Sequence, residues 1–433
     1  MPSLQLENLG WIEAGFGPDE ERATTASLRI VAGDLPSLEF TKVEDRIAQS
    51  LRSHINVPLA PLALWLVMNW WRLRFEGKPD VPTIRWFQAH RLSSIGGDHA
   101  WPPLDIYSDK DFIRLEMDAE AAFDAAAVRY LQPVSLDVPA DDFETAVDAL
   151  LDHVDARLAA TLPAYTQLRE LRAELAEERL RDSNARVCRW QAMAGLDPGN
   201  ASERWITEAT ALAEEVGAVA GDEIMSVLSG FDGRIASVRR VVDEMKCSPT
   251  AIDLSRVVPH AIPRRGLPWQ QGVELAGRLR RAQGLERGPL TNEKLSDLVG
   301  VRLPLPGDAS RPPLGGGIRN GQPGGRVRII TKRTRVENQR FYLARIIAAA
   351  RVLPAEQHLL PVTTAHTSLQ KLQRAFAQEL LCPWEDLDAS TDEHGLDDES
   401  LMDAAEHFVV SEWVVRSALA NRGKIPRDRL PQA

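Results

Sequence analysis

Zinc hydrolysis needs three protein ligands, usually two histidines one helical turn apart plus a carboxylate, with a fourth position open to water. The 433-residue chain has nine histidines, at 54, 90, 99, 153, 260, 358, 366, 394 and 407, and no two of them stand four residues apart. His90 and His99 lack a third donor at workable spacing and read as structural. His358 and His366 both follow the segment Arg340–Arg351, RFYLARIIAAAR, and lie before the next helix, so a metal site with displaced ligands would have to draw on them. The plainer reading leaves both in a loop between two helices.

Groups suited to binding are more numerous. Arg302, Arg311, Arg319, Arg326, Arg328, Lys332, Arg333, Arg335, Arg340 and Arg345 are interrupted by only two acids, Asp308 and Glu337, and the stretch holds Gly315-Gly316-Gly317 and Gly324-Gly325. A flexible, glycine-rich basic loop could follow a nucleic-acid backbone through phosphate contacts, with Arg319, Arg326, Arg328, Lys332, Arg333 and Arg335 as the candidates. It contains no aromatic stacking residue, and no Gly-Lys-Ser/Thr follows the glycines. Alternatively it pairs within the chain with the acidic segment Glu379 to Glu412, which has no Lys or Arg. A second cluster joins Trp65, Trp70, Trp71, Trp86 and Trp101 with Arg72, Arg74, Arg85, His90 and Arg91. Trp and Arg dominate interface hot spots, which makes Trp70, Trp71, Arg72 and Arg74 interface candidates; the same density also suits a domain core. A third candidate is Leu401–Arg422, patterned as the end of a helix-turn-helix, with Ser411 at the start of its second helix. Groove reading needs polar or basic residues there, and the chain offers Glu412 and Trp413.

The segment Arg340–Arg351 resembles the active-site helix of the ImmA/IrrE metallopeptidase family, which runs roughly R-F-x-L-A-H-E-x-G-H. Arg340, Phe341, Leu343 and Ala344 match its lead-in. Arg345 stands at the first ligand histidine, Ile346 at the general-base glutamate, Ala348 at the helix glycine and Ala349 at the second ligand histidine. Downstream, Leu372–Pro383 resembles the family's second helix, E-A-N-x-F-A-x-E-L-L-M-P, with Leu372 at the third ligand and Gln370 two positions earlier. Ala404–Ser411 resembles the closing A-x-x-F-x-V-S segment, and Pro268-Trp269 through Val301 the segment before the core. The resemblance covers roughly residues 265–425. Arg345 carries a permanent charge and cannot ligate, Ile346 cannot take a proton from water, and Ala349 has no donor atom. The resemblance therefore implies a zincin-like fold without catalytic residues, metal or cofactor. Active members of the family cut repressors in prophage, mobile-element and stress responses. The expectation is thus a pseudopeptidase, a binding or regulatory subunit of a bacterial defence, mobile-element or stress-response system whose groove holds a protein segment uncut. Two further readings stay open: a nucleic-acid-contacting subunit of a larger complex, and a residual metallopeptidase with displaced ligands.

The elements that must position these residues follow from spacing. The expected fold is α+β and mostly helical, with a mixed tryptophan-rich domain at 1–140, a helical region at 141–250, a linker at 251–265 and the pseudopeptidase domain at 266–433. Ser27–Ala32 and Phe112–Met117 alternate as strands, and Pro133–Pro139 reads as another. Thr41–Glu44 suggests a capping box opening a helix to Ser53. Leu59–Arg74 reads as one buried helix, and Leu168–Trp190 as one amphipathic helix. With 44% hydrophobic and 26% charged residues the composition is that of ordinary globular protein. A net charge of −11 argues against a generic polyanion binder. Three scattered cysteines, the absence of a secretory leader pattern and an apolar run too short for a bilayer lead to the expectation of a cytoplasmic protein off the membrane.

Overall fold

The computed structural model describes residues 3–32, 38–118, 127–228, 233–256, 266–308, 314–319 and 325–430. The chain is mixed α/β and predominantly helical, and forms two compact units, Met1–Ser202 and Glu203–Ala433. The division falls after the turn Gly195–Pro198, inside the stretch 141–250. Helices Ala140–Thr161, Gln167–Leu180 and Asp182–Met193 belong to the first unit, and Glu203–Val216, Ala218–Met225 and Ile235–Lys246 to the second. Among the described residues no helix is long and apolar enough to cross a membrane.

In the first unit, Thr25–Ala32 pairs antiparallel with Leu4–Trp11 on one side and with Leu38–Glu39 and Ile55–Pro58 on the other. A second sheet centres Phe112–Met117 between Leu104–Ser108 and Val134–Pro139. The strands at 25–32, 112–117 and 134–139 lie where alternation placed them. The helix expected from Thr41 is instead a hairpin, Val43–Asp45 against Ser50–Arg52, with Val128–Tyr130 alongside. The reason is local. Asp45 accepts from the Ile47 and Ala48 amides at 3.0 and 2.8 Å, Gln49 takes φ +49°, and the Thr41 hydroxyl is spent on Ile30 N and Ser53 O rather than on a helix start. The helix expected over Leu59–Arg74 breaks at Asn69, whose side-chain amide donates back to the Trp65 carbonyl at 2.9 Å, leaving Leu59–Met68 and Trp70–Phe75. The one expected over Leu168–Trp190 breaks at Arg181, which takes an extended backbone.

The second unit holds a four-stranded antiparallel sheet in the order Ala251–Asp253, Arg326–Ile330, Gly315–Arg319, Leu359–Val362. Ala251–Asp253, expected as linker, is its edge; residues 257–265 of that linker lie outside the described residues. Of the glycine-rich stretch expected as a flexible loop, Gly315–Arg319 and Arg326–Ile330 are two strands of this sheet, and residues 309–313 and 320–324 lie outside the described residues. Gly316 has φ +143°, and a Cβ there would sit 2.3 Å from the Leu360 carbonyl oxygen. A Cβ on Gly317 would sit 2.3 Å from Val327 Cγ1. These glycines serve close packing, not mobility. Helix Val336–Val352 lies in the core, packed on helix Ser368–Leu381 and on strand Leu359–Val362.

Candidate functional site

Helix Val336–Val352 carries alanines and branched apolar residues along its length and is buried from Tyr342 to Arg351. Ile346 and Ala349 are fully buried and Leu372 is 6% exposed. Arg345 is 9% exposed and joins a buried polar network. One guanidinium nitrogen donates to the Thr363 carbonyl at 2.7 Å and to Gln370 Oε1. Gln370 Oε1 also accepts from the Thr363 amide at 3.1 Å, while its Nε2 donates to Glu223 Oε2 at 3.0 Å and faces the Pro361 carbonyl at 3.3 Å. Thr367 donates to the same Glu223 oxygen at 2.8 Å, and Gln373 Nε2 donates to Pro361 O at 2.9 Å.

Two consequences follow from this geometry. Burial, then the neighbouring charges of Arg374 and Arg333, pull the Arg345 guanidinium down to about 9, against the opposing influence of Tyr342 and Glu223. It is still a cation at neutral pH, placed where the resemblance would put a metal ligand. The second consequence concerns the sheet edge. The backbone groups of Pro361 and Thr363 are taken by Gln370, Gln373 and Arg345, so this part of the edge strand is closed to pairing with another chain. Arg340, matched in the lead-in, is a fully buried tie. Its guanidinium donates to Asn292 Oδ1 at 2.6 Å and to the Leu290 carbonyl, with Phe408 O at 3.4 Å.

Zinc does not fit these positions. Arg345 has only donors, and Ile346, Ala349 and Leu372 have no ligating atom. His358 and His366 are both exposed, and among the described residues no group of three or more His, Cys, Asp and Glu side chains could hold a metal ion.

The basic candidates separate. Arg319 is structural: its guanidinium lies over the end of helix Val336–Val352, donating to the Pro354 carbonyl at 2.6 Å with those of Gln357, Leu353 and Ala350 within 3.5 Å. Arg328 is half-buried and donates to the Lys246 carbonyl. Lys332 is half-buried, and burial together with Arg333 lowers its pKa. Arg326, Arg333 and Arg335 are exposed and form no ion pair among the described residues. Arg311 lies outside the described residues. The described ion pairs of the acidic segment run to Lys424, Arg416 and Arg429, not to this stretch.

The tryptophan–arginine cluster is core, which corrects the interface expectation. Trp70, Trp71 and Arg72 are 4–5% exposed. Trp71 Nε1 donates to Glu178 at 2.6 Å, and Arg74 ties Glu144 and the Lys110 carbonyl, each at 2.6 Å. Arg72 bonds Glu76 at 2.6 and 3.2 Å. His90 bridges the same carboxylate at 2.9 Å and the Ile106 carbonyl at 2.7 Å. Burial alone would raise the Glu76 pKa, but the hydrogen bonds and charges of His90 and Arg72 outweigh it and hold this carboxyl below its ordinary value. Helices Asp398–Phe408 and Glu412–Asn421 do meet through a left-handed Val409 and Ser411, although the Ser411 side chain accepts no capping bond. Sequence reasoning had no signal for Glu223, Thr363 or Thr367; an acid on a short helix becomes notable only once folding places it beside Gln370.

Compared with family models, curated proteins and solved structures, the chain matches none.

Proposed function

We propose that the chain is a non-catalytic pseudopeptidase, its second unit a zincin-like domain of the ImmA/IrrE type, acting as a binding or regulatory subunit with a protein partner in a bacterial defence, mobile-element or stress-response system. The supporting observation is the buried network of Arg345, Gln370, Glu223 and Thr367. At the position of a lost ligand stands a fixed cation, hydrogen-bonded to a neighbouring helix and strand, so the packing that zinc would have provided is supplied by side chains. The closed edge at Pro361–Thr363 also constrains how a partner is held: a bound segment uses side-chain contacts there and not strand addition. The test is native purification of the full chain without chelators. Substoichiometric zinc, no cleavage of peptide pools with zinc supplied, and a discrete co-purifying protein are expected. Stoichiometric zinc with zinc-dependent cleavage overturns the reading.

A second reading has one observation in its favour: Arg326, Arg333 and Arg335 are exposed and form no ion pair among the described residues, Arg326 lying opposite Asp253 across the strand pair. On this reading they contact nucleic acid within a larger complex. Retained nucleic acid that is released by salt, and lost when Arg326, Arg333 and Arg335 are changed to Ala, is the expected result; retention unaltered by the triple change eliminates it.

A further inference from the structure

The first unit carries a groove that the pseudopeptidase reading does not use. In the sheet of Leu104–Ser108, Phe112–Met117 and Val134–Pro139 the register sets Asp105, Glu116 and Ser135 in one row, and Tyr107, Arg114 and Asp137 in the next. Alternation places these six polar residues on one face. Leu104, Ile106, Ile113, Leu115, Val134 and Val138 on the other face enter the core. A cavity of about 570 Å³ is lined by Lys78, Arg91, Asp105, Glu116 and Ser135, among others. That volume is in the range of small-molecule sites.

Part of the groove is filled from within. Lys78 Nζ lies 2.6 Å from Glu116 Oε2 and 3.3 Å from Asp105 Oδ2, and 5.5 and 5.8 Å from the ring centroids of Tyr107 and Trp86. Asp105 is 3% exposed and is held by Arg91 through both oxygens, at 2.6 and 3.0 Å. Two carboxylates and two aromatic rings around one ammonium are the chemistry that recognises alkylammonium groups. The side chain that fills this cage comes from an irregular segment tied back at its start by the Gly77 carbonyl, which accepts from Trp86 Nε1 at 3.1 Å. Between buried Glu76 and buried Trp86 the chain has no helix or strand until Ile84, and only Lys78 and Pro82 are not exposed. Val81 and Ile84, 82% and 80% exposed, leave little apolar burial to hold this strap down. Burial would raise the Glu116 pKa; the hydrogen bond and charge of Lys78 are the largest of the influences that bring it below its ordinary value. With Lys78 withdrawn, Glu116 would face the groove having lost its hydrogen-bonded cation, keeping the charge of Arg114 and the Tyr107 hydroxyl at 3.3 Å.

We propose that this groove binds an alkylammonium group, the lysine side chain of a partner protein or a polyamine, in the place Lys78 fills in the free protein. The strap bearing Lys78 swings away as the incoming ammonium takes over the contacts to Glu116, Asp105, Tyr107 and Trp86. The groove shares no residue with the network around Arg345, so either can fail without the other.

Calorimetric titration of the full chain with butylammonium tests this. Lys78→Met, which keeps the stem and removes the charge, should bind about tenfold tighter than wild type, because no internal cation competes. Glu116→Gln in that background should abolish the gain. Equal affinity of Lys78→Met and wild type, or a gain untouched by Glu116→Gln, overturns the proposal. Should Lys78→Met fail to fold, amide chemical shifts of the wild type at high butylammonium concentration serve instead. Shifts confined to residues 76–86, 105–107, 114–117 and 134–135 support the site, and shifts absent or spread over the surface overturn it. In Lys78→Met, Nα-acetyl-lysine methylamide binding tighter than spermidine assigns the groove to a partner's lysine; the reverse order assigns it to a polyamine.

Discussion

Arg345 and Glu76 are the two residues on which most depends, because each is a buried charge whose removal strands its partners. Replacing Arg345 by Met would leave the Thr363 carbonyl and Gln370 Oε1 without their charged donor. Uncompensated buried polar groups are costly, and a loss of about 3 kcal/mol is expected, read as a lower urea midpoint at unchanged slope. Arg345→His would restore one ligand type. With Ala349 and Leu372 still in place it should not bind zinc, which metal analysis of the purified variant would check. For Glu76 the sign of the pH dependence follows from its lowered pKa. A carboxyl that is more acidic folded than unfolded contributes stability at neutral pH, and loses it as pH falls through its folded value. Glu76→Gln should therefore cost about 3 kcal/mol at pH 7. The gap to wild type should narrow as pH falls below the ordinary carboxylate range and close once pH passes the lowered folded value, in urea titrations run across pH.

Among the elements, close backbone approach at glycine is the recurring device. A Cβ on Gly272 would sit 2.4 Å from the Leu372 carbonyl oxygen and 2.9 Å from the Phe376 nitrogen. Helix Pro268–Ala282 is thus seated backbone to backbone on helix Ser368–Leu381, the helix that carries Leu372, Gln370 and Gln373. Gly272→Ala should force the two apart at a cost of about 2 kcal/mol and lower the thermal midpoint. Its effect should spread to the Arg345 network, seen as faster exchange of the Thr363 amide. Much of this could be read in the chain beforehand. The strands at 25–32, 112–117 and 134–139 alternate cleanly, and the long helices announce themselves by apolar spacing. The hairpin at 43–52 could not be read, because Asp45 can cap a helix or fold a turn with the same oxygen. The pairing partner Val128–Tyr130, remote in sequence, decides between them.

For the whole molecule, the division at Ser202 carries a prediction of its own. Each unit has its own hydrophobic core, so fragments 1–202 and 203–433 should each fold and melt cooperatively when expressed alone. Failure of either fragment to give a cooperative transition would show that the units depend on one another for stability. The charge distribution belongs to this scale as well. Within the acidic segment, Asp388, Asp392, Asp398 and Glu412 pair with Arg416, Lys424 and Arg429 close by in the chain, and Arg326, Arg333 and Arg335 form no ion pair among the described residues.

Residue chemistry settled one matter before any folding. Arginine, isoleucine, alanine and leucine at 345, 346, 349 and 372 cannot ligate or take a proton, and no tertiary arrangement changes that. Period and composition likewise announced a mostly helical chain with both helices and strands, while leaving the tryptophans open between core and interface. What they could not say is what holds the buried Arg345. Thr363 and Gln370 hold Arg345, Glu223 from another helix joins through Gln370 and Thr367, and the cage around Lys78 gathers Trp86, Asp105, Tyr107 and Glu116 from a helix and two strands. Contacts between residues distant in the chain leave no periodic trace in it. They exist only once burial removes water, and each polar group must then find a partner in the surrounding fold.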